Sequence, residues 1–293
     1  MIQYNNNLSV LPFYDSIEKQ NHRKTYAYGE VYPLYCPTGR ILPFQFMTEH
    51  ITNNVPQDIH IRDMQGNNVA SILTPLLEGG LRCTQYASDG YDIYSYPDLM
   101  PFNINLQEGR YYIAMRTTAG IFYSEVFTVV ADISPYLKIE WRNLDDLIAD
   151  NWRIQYSSGA YQFTNKLYLN TQVGKPDYVF EETGENRDGY FFAEKMISEK
   201  TYKFVFLAPE YLCDVMRFIR MADIVKITDR YGREYYCDTF LITPKWQEQG
   251  DLASVEAEFQ TDTVAKTIGR GIVASTMGDF NNDFNDDYDN TNS

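Results

Sequence analysis

Alternation of apolar and polar residues with a period of two runs through much of this chain and is clearest between Lys200 and Phe259. From Thr201 to Leu207, Tyr202, Phe204 and Phe206 fall on one side while Thr201, Lys203 and Val205 fall on the other, which predicts a strand with one face on a core. Pro209 then stands where a helix accepts a first-turn proline. Leu212, Val215, Met216 and Ile219 follow along a single apolar stripe, so a short amphipathic helix is expected. Ile224 to Thr228 and Glu234 to Thr243 flank Asp229-Arg230-Tyr231-Gly232, which predicts a hairpin with Gly232 in the positive-φ position. Ala253, Val255, Ala257 and Phe259 alternate with Ser254, Glu256 and Glu258, as a half-exposed antiparallel strand does.

Upstream the same period recurs in shorter runs. Residues 1–25 are polar and Asn-rich and read as an arm or an edge segment. Glu30 to Cys36, Ile41 to Met47, Asp58 to Met64 and Val69 to Leu73 are strand-like runs separated by Pro, Gly and Asn clusters, with Gln65-Gly66-Asn67 as a tight turn. The best hairpin of this half begins at Gly109: Tyr111, Ile113 and Met115 share a face, Thr117-Thr118-Ala119-Gly120 connects, and Ile121 to Val130 returns. That pair resembles the last two strands of an immunoglobulin-like or fibronectin type III-like sandwich, without the Cys, Trp and Cys trio of antibody domains.

Ser134-Pro135 is the best candidate boundary, since a proline follows the closing strand and a new run, Leu137 to Trp141, begins at once. Leu144 to Trp152 suggests a helical turn or two, and Tyr161 to Leu169 a strand. Lys175 to Gly189, with Glu181, Glu182, Glu185 and Asp188 among turn formers, reads as a solvated loop or hairpin tip. The expected architecture is all-β with one or two short helices. It comprises an N-terminal arm (1–25), an immunoglobulin-like β-sandwich (26–133), a second β-rich sandwich or barrel-like domain (134–275) and an acidic flexible tail (276–293).

Composition narrows the function classes. The 25 Tyr and 17 Phe against 3 Trp lean towards β structure, and a length of 293 residues fits two ordinary domains. A formal net charge of −15 argues against a nucleic-acid partner, which requires clustered Lys and Arg, and against an anionic membrane. The N-terminus has neither a basic region nor an apolar signal stretch, so a cytoplasmic site of synthesis is expected. Cys36, Cys83, Cys213 and Cys237 are widely spaced and read as reduced, mostly buried thiols.

Candidate chemistry is sparse. His22, His50 and His60 lie outside metal-ligand spacing, and no nucleophile elbow or Walker loop is present. Gly269-Arg270-Gly271 lacks the third glycine of a dinucleotide fingerprint. Asp279, Asn281 and Asp283 match the opening ligands of a calcium loop. Phe284 and Asn290 then stand where glycine and a bidentate glutamate are needed. Asn7-Leu8-Ser9 matches a glycosylation sequon and is read as a chance match, since no secretion signal is expected. No catalytic, cofactor-binding or metal-binding residue is nominated, and no cofactor is expected. Paired carboxylates on distant segments are the one enzymatic option that sequence leaves open, and aromatic richness would suit sugar stacking.

The second half resembles structural tail and virion proteins of phages and prophages of gut Bacteroidetes. The resemblance is carried by Leu137-Lys138-Ile139-Glu140-Trp141-Arg142-Asn143, Asn165 to Thr171, the helix and hairpin from Ala208 to Cys237, and Phe259-Gln260-Thr261-Asp262-Thr263-Val264. It spans about half the chain, Leu137 to Ile268, and implies assembly rather than chemistry. The expectation is a non-catalytic virion subunit in a tail or baseplate, self-associating in a homo-oligomeric ring or tube and touching neighbouring tail proteins. The alternative is a surface or carbohydrate-binding β-sandwich protein, with or without glycoside activity, of a gut bacterium.

Overall fold

Backbone pairing between strands dominates the computed structural model, which describes residues 9–20, 34–49, 56–72, 82–86, 91–96, 106–118, 120–149, 152–154, 156–158, 161–187, 189–246 and 251–267. Those residues hold twenty-two strands and one α-helix, so the all-β expectation is met.

In the first half, β1 (Phe13–Tyr14), β2 (Tyr35–Pro37), β4 (Asp58–Asp63), β5 (Asn68–Ser71), β8 (Gly109–Thr117), β9 (Gly120–Ser124) and β10 (Phe127–Val130) form one sheet. β3 (Phe44–Glu49), β6 (Arg82–Tyr86) and β7 (Tyr91–Tyr96) form another, in the order β3-β7-β6. Apolar side chains of the two sheets meet: the Phe13 ring packs tilted against Phe44 at 5.2 Å, and Ile59, Ile61, Ile113 and Met115 join Phe46 and Tyr96 in the core. This is sandwich packing, with alternate residues of each strand turned inward.

The strand that returns after β8 is not regular. Ala114 faces Tyr123, whereas Tyr111 faces Phe127, so three steps along β8 oppose four along the returning strand. The extra residue is a β-bulge at Ser124–Val126, which divides β9 from β10. Side chains of the bulge bond its backbone: the Ile113 N–H donates to Ser124 Oγ at 2.8 Å, Ser124 Oγ–H donates to the Glu125 carbonyl at 2.8 Å, and the Val126 N–H donates to Glu125 Oε1 at 3.0 Å. Residues 9–20 cover this bulge. Gln20 donates to the Ser124 carbonyl and Tyr14 to Glu125, while Val10, Leu11 and Phe13 are buried. Within the stretch read as arm or edge, these residues therefore form the edge and part of the core.

The second half holds β11 (Leu137–Arg142), β16 (Asn165–Leu169), β19 (Ile224–Thr228) and β20 (Glu234–Tyr236) in a sheet of order β16-β11-β19-β20. β17 (Asp177–Arg187), β18 (Tyr190–Pro209), β21 (Thr239–Lys245) and β22 (Leu252–Thr267) follow the order β17-β18-β22-β21. Phe204 and Phe206 are buried while Val205 and Leu207 are more than half exposed, as the alternation requires. Ala253, Val255, Ala257 and Phe259 are all buried on β22. The helix α1 (Glu210–Met216) begins directly after an extended Pro209 and tightens into a 3-10 turn over Arg217–Met221, keeping Leu212, Val215, Met216 and Ile219 in the core. Gly232 has φ of +75° as expected. Asp229 Oδ1 accepts from the Tyr231 and Arg233 N–H groups at 2.9 and 3.0 Å, which fixes the turn.

Three expectations are corrected. Leu144 to Trp152 is not helical: β12 (Leu147–Ala149) and β13 (Trp152–Ile154) pair as a hairpin. Beyond it lies the small pair β14 (Ser157–Ser158) and β15 (Tyr161–Gln162). Ile154 and Tyr156 are two apart and enter one small core with Phe163 and Phe218, a spacing that only an extended chain provides. Lys175 to Gly189 is largely strand, because β17 pairs along β18 even though its described side chains face solvent. Glu234 to Thr243 is not one strand. The Cys237 N–H donates to the Val225 carbonyl and the Asp238 N–H to the Gln260 carbonyl, so the chain changes sheets between β20 and β21.

Every ladder among the described residues joins strands from the same side of Ser134, yet a single apolar cluster runs from Val10 to Phe259. Tyr35 and Tyr136 rings meet at 4.3 Å across that point. Packing divides the chain into a unit of residues 1–177 with 201–261 and a second of residues 178–200 with 262–293, and Ser134 lies inside the first.

Val215 is 1% exposed in the core that also holds Phe204 and Phe206. Val215→Asp should lower unfolding free energy by about 3 kcal/mol or more, because it strands a carboxylate among apolar groups. Urea unfolding checks this, and a loss under about 1 kcal/mol would place the stripe against water.

Candidate functional site

On β11, Leu137, Ile139 and Trp141 are buried, which sends Lys138, Glu140 and Arg142 to the opposite face of its sheet. Antiparallel register places Lys166 of β16 on one side of Glu140 and Lys226 of β19 on the other. The Glu140 carboxylate lies 2.9 Å from Lys138 Nζ, 3.2 Å from Lys226 Nζ and 3.9 Å from Lys166 Nζ. Lys226 also reaches Glu234 of β20 at 3.0 Å, and Tyr236 stands across from Lys226.

Burial alone would raise the Glu140 pKa. The hydrogen bond and charge of Lys138, with the charges of Lys226 and Lys166, outweigh it and hold the carboxyl below its ordinary value. Such a group stays ionised and locked, so it serves as a counterion at the centre of three ammonium groups rather than as a proton donor. Lys226 is correspondingly raised, first by its hydrogen bond to Glu234.

Beside this network lies a cavity of about 330 Å³, lined by Glu140, Arg142, Thr164, Ile224, Lys226 and Tyr236. Arg142 Nη1 is enclosed and has no hydrogen-bond partner, and no carboxylate among the described residues pairs with this guanidinium. An arginine fork beside a half-open cavity is suited to a carboxylate supplied from outside.

A second surface belongs to the unit of residues 178–200 and 262–293. Tyr178 is 73% exposed, Phe180 61%, Tyr190 72% and Phe191 51%, on strands joined through Gly189 at φ +85°. Glu181 and Glu182 are exposed beside them. Four large aromatic side chains thus stand in water on a long hairpin, and none of them belongs to the core.

The residues considered for chemistry are not gathered. Cys36 and Cys213 are buried, Cys237 is half-buried, and all three are free thiols. Burial pushes Cys213 up to about 11 and Cys237 up to about 12, so both remain protonated and unreactive at neutral pH. His60 Nε2 pairs with Asp58 at 2.8 Å on β4. No group of three His, Cys, Asp or Glu side chains among the described residues could hold a metal ion, and no helix among them is long and apolar enough to cross a membrane. His22, His50, Asn7, Gly269-Arg270-Gly271, Asp279, Asn281, Asp283, Phe284 and Asn290 lie outside the described residues. So does the side chain of Cys83 on β6. Sequence reasoning missed Lys166 and Lys226 as partners of Glu140. The alternation in Leu137 to Arg142 reveals a charged face, but register alone reveals what lies across from it.

No protein-family model matches the chain, and no curated protein matches it. Among solved structures, it is similar to a chain from the "Crystal structure of Dpr2 Ig1-Ig2 in complex with DIP-Theta Ig1-Ig3", with 9% identity, 82% of this chain and 97% of that chain covered, and a TM-score of 0.15.

Because the Glu140 carboxyl is depressed in the folded protein, its contribution is full above the unfolded value, about pH 4.3, and is lost as pH falls through the folded value. Glu140→Gln should cost about 2–3 kcal/mol at pH 7, since it removes the one carboxylate that lies within 4 Å of all three of these partly buried ammonium groups. Urea unfolding of both proteins from pH 7 down to pH 3 should show the gap closing below about pH 4. A gap that stays constant would mean that the charge is immaterial.

Proposed function

We propose that this protein is a non-catalytic structural subunit of a phage virion, in the tail or baseplate, that assembles with copies of itself into a ring or tube and contacts neighbouring tail proteins. The observation that carries the reading is the hairpin of β17 and β18, on which Tyr178, Phe180, Tyr190 and Phe191 stand in solvent. Four large aromatic groups held in water are unfavourable for an isolated subunit. Burial against a neighbour would return about 25 cal/mol for each Å² of apolar surface removed. Raised thiol pKa values and a Glu140 carboxylate held ionised among lysines likewise favour a scaffold over a reaction centre.

Replacing Tyr178, Phe180, Tyr190 and Phe191 together by serine should leave the fold intact, with Tm changed by no more than about 3 °C, because none of them is buried. The native chain should form higher-order species in sedimentation velocity and electron microscopy, and the same variant should fail to form them. Native chain that is missing from purified particles by mass spectrometry, and that binds or cleaves a glycan as a monomer, would replace this reading with the carbohydrate-binding alternative.

A further inference from the structure

The hairpin and the charged sheet face have opposite electrical character. Between Asp177 and Lys200 the chain carries seven carboxylates against three cations, and Lys200 is already paired with Asp262 at 3.0 Å. The outer face of the β16-β11-β19-β20 sheet carries Lys138, Arg142, Lys166 and Lys226 against Glu140 and Glu234. That is a cationic excess on a chain whose net charge is −15.

Alternation along β17 puts Tyr178, Phe180 and Glu182 on one side of the strand. The cavity between Arg142, Ile224 and Tyr236 measures about 330 Å³, enough for an aromatic side chain, and the Arg142 guanidinium has no carboxylate partner among the described residues. We propose that the Tyr178–Phe180–Glu182 side of the hairpin in one copy docks on this sheet face of the next copy. Phe180 enters the cavity, and Glu182 pairs with Arg142.

This inference rests on the assembly reading and names the two surfaces involved. Self-pairing of β17 edges is disfavoured, because Glu181, Glu182 and Glu185 would lie against their own counterparts. Two different patches therefore meet, which is the heterologous contact that closes rings or extends tubes. An aromatic anchor in a pocket beside a desolvated arginine–carboxylate pair is the arrangement that concentrates binding energy.

The test uses the full chain with Glu182→Arg, Arg142→Glu, their combination and Phe180→Ala, compared by sedimentation velocity and electron microscopy at equal concentration. Glu182 and Phe180 are exposed, so their variants retain the fold even where Arg142→Glu weakens it. Each single variant should weaken self-association at least tenfold, and the charge-swapped double variant should recover to within about threefold of the native chain. Singles that associate normally, or a double variant no better than either single, overturn the pairing. If the four-serine hairpin variant still fails to assemble in that case, the assembly reading stands without it. Loss of association on truncation after residue 275, with Glu182→Arg unaffected, assigns the cationic face to the acidic tail and overturns the proposal. A native chain that stays monomeric at every concentration overturns both.

Discussion

Burial of Leu137, Ile139 and Trp141 on one side of β11 is the constraint from which the second half of the molecule follows. A strand has only two sides, so committing three large apolar residues to the core commits Lys138, Glu140 and Arg142 to the other. Neighbouring strands repeat the division: Leu167 and Leu169 on β16 and Val225 and Ile227 on β19 point inward, leaving Lys166 and Lys226 outside. A one-residue slip of any strand would drop a charge into the core, and the Glu140 network would vanish with it. The apolar core and the charged face therefore specify the same register twice.

That coupling explains what could and could not be read from the amino acids. Phe204 and Phe206, the stripe from Leu212 to Ile219, Gly232 and the alternation from Ala253 to Phe259 were legible, because each is a local pattern whose periodicity names its structure. The break between β20 and β21 was harder, since a lone Asp238 with no glycine or proline beside it is a weak turn signal. The sign of it lies in the apolar positions, where Tyr235 and Phe240 are five apart and cannot share one face of a single strand. The meeting of Glu140 with Lys166 and Lys226 had no local signal at all. It depends on which strands are neighbours, a property of topology set by the whole core.

Residues 175–189 went wrong for a different reason. Glu181, Glu182 and Glu185 are poor strand formers and leave no buried face, so the stretch reads as solvated loop. In the fold β17 is extended because its backbone pairs with β18, and ladder hydrogen bonds rather than apolar burial keep it in place. Edge strands with exposed aromatic side chains tend to pair indiscriminately, and acidic residues on the same strand counter that tendency. The charges that hid the strand from sequence reasoning are thus the ones that make its exposure tolerable.

Charge also decides how selective any contact between copies must be. At a net −15 two copies repel at a distance, but in about 0.1 M salt that repulsion fades over roughly 10 Å, while partly buried pairs are screened much less. Approach is therefore penalised wherever acidic surfaces face each other and is relieved only where a cationic patch is presented. The outer face of the β16-β11-β19-β20 sheet is such a patch, and it exists because one strand pattern turned its apolar residues inward. Repulsion over the remaining surface then works in favour of order, since it removes the misaligned encounters that a wholly neutral aromatic hairpin would permit.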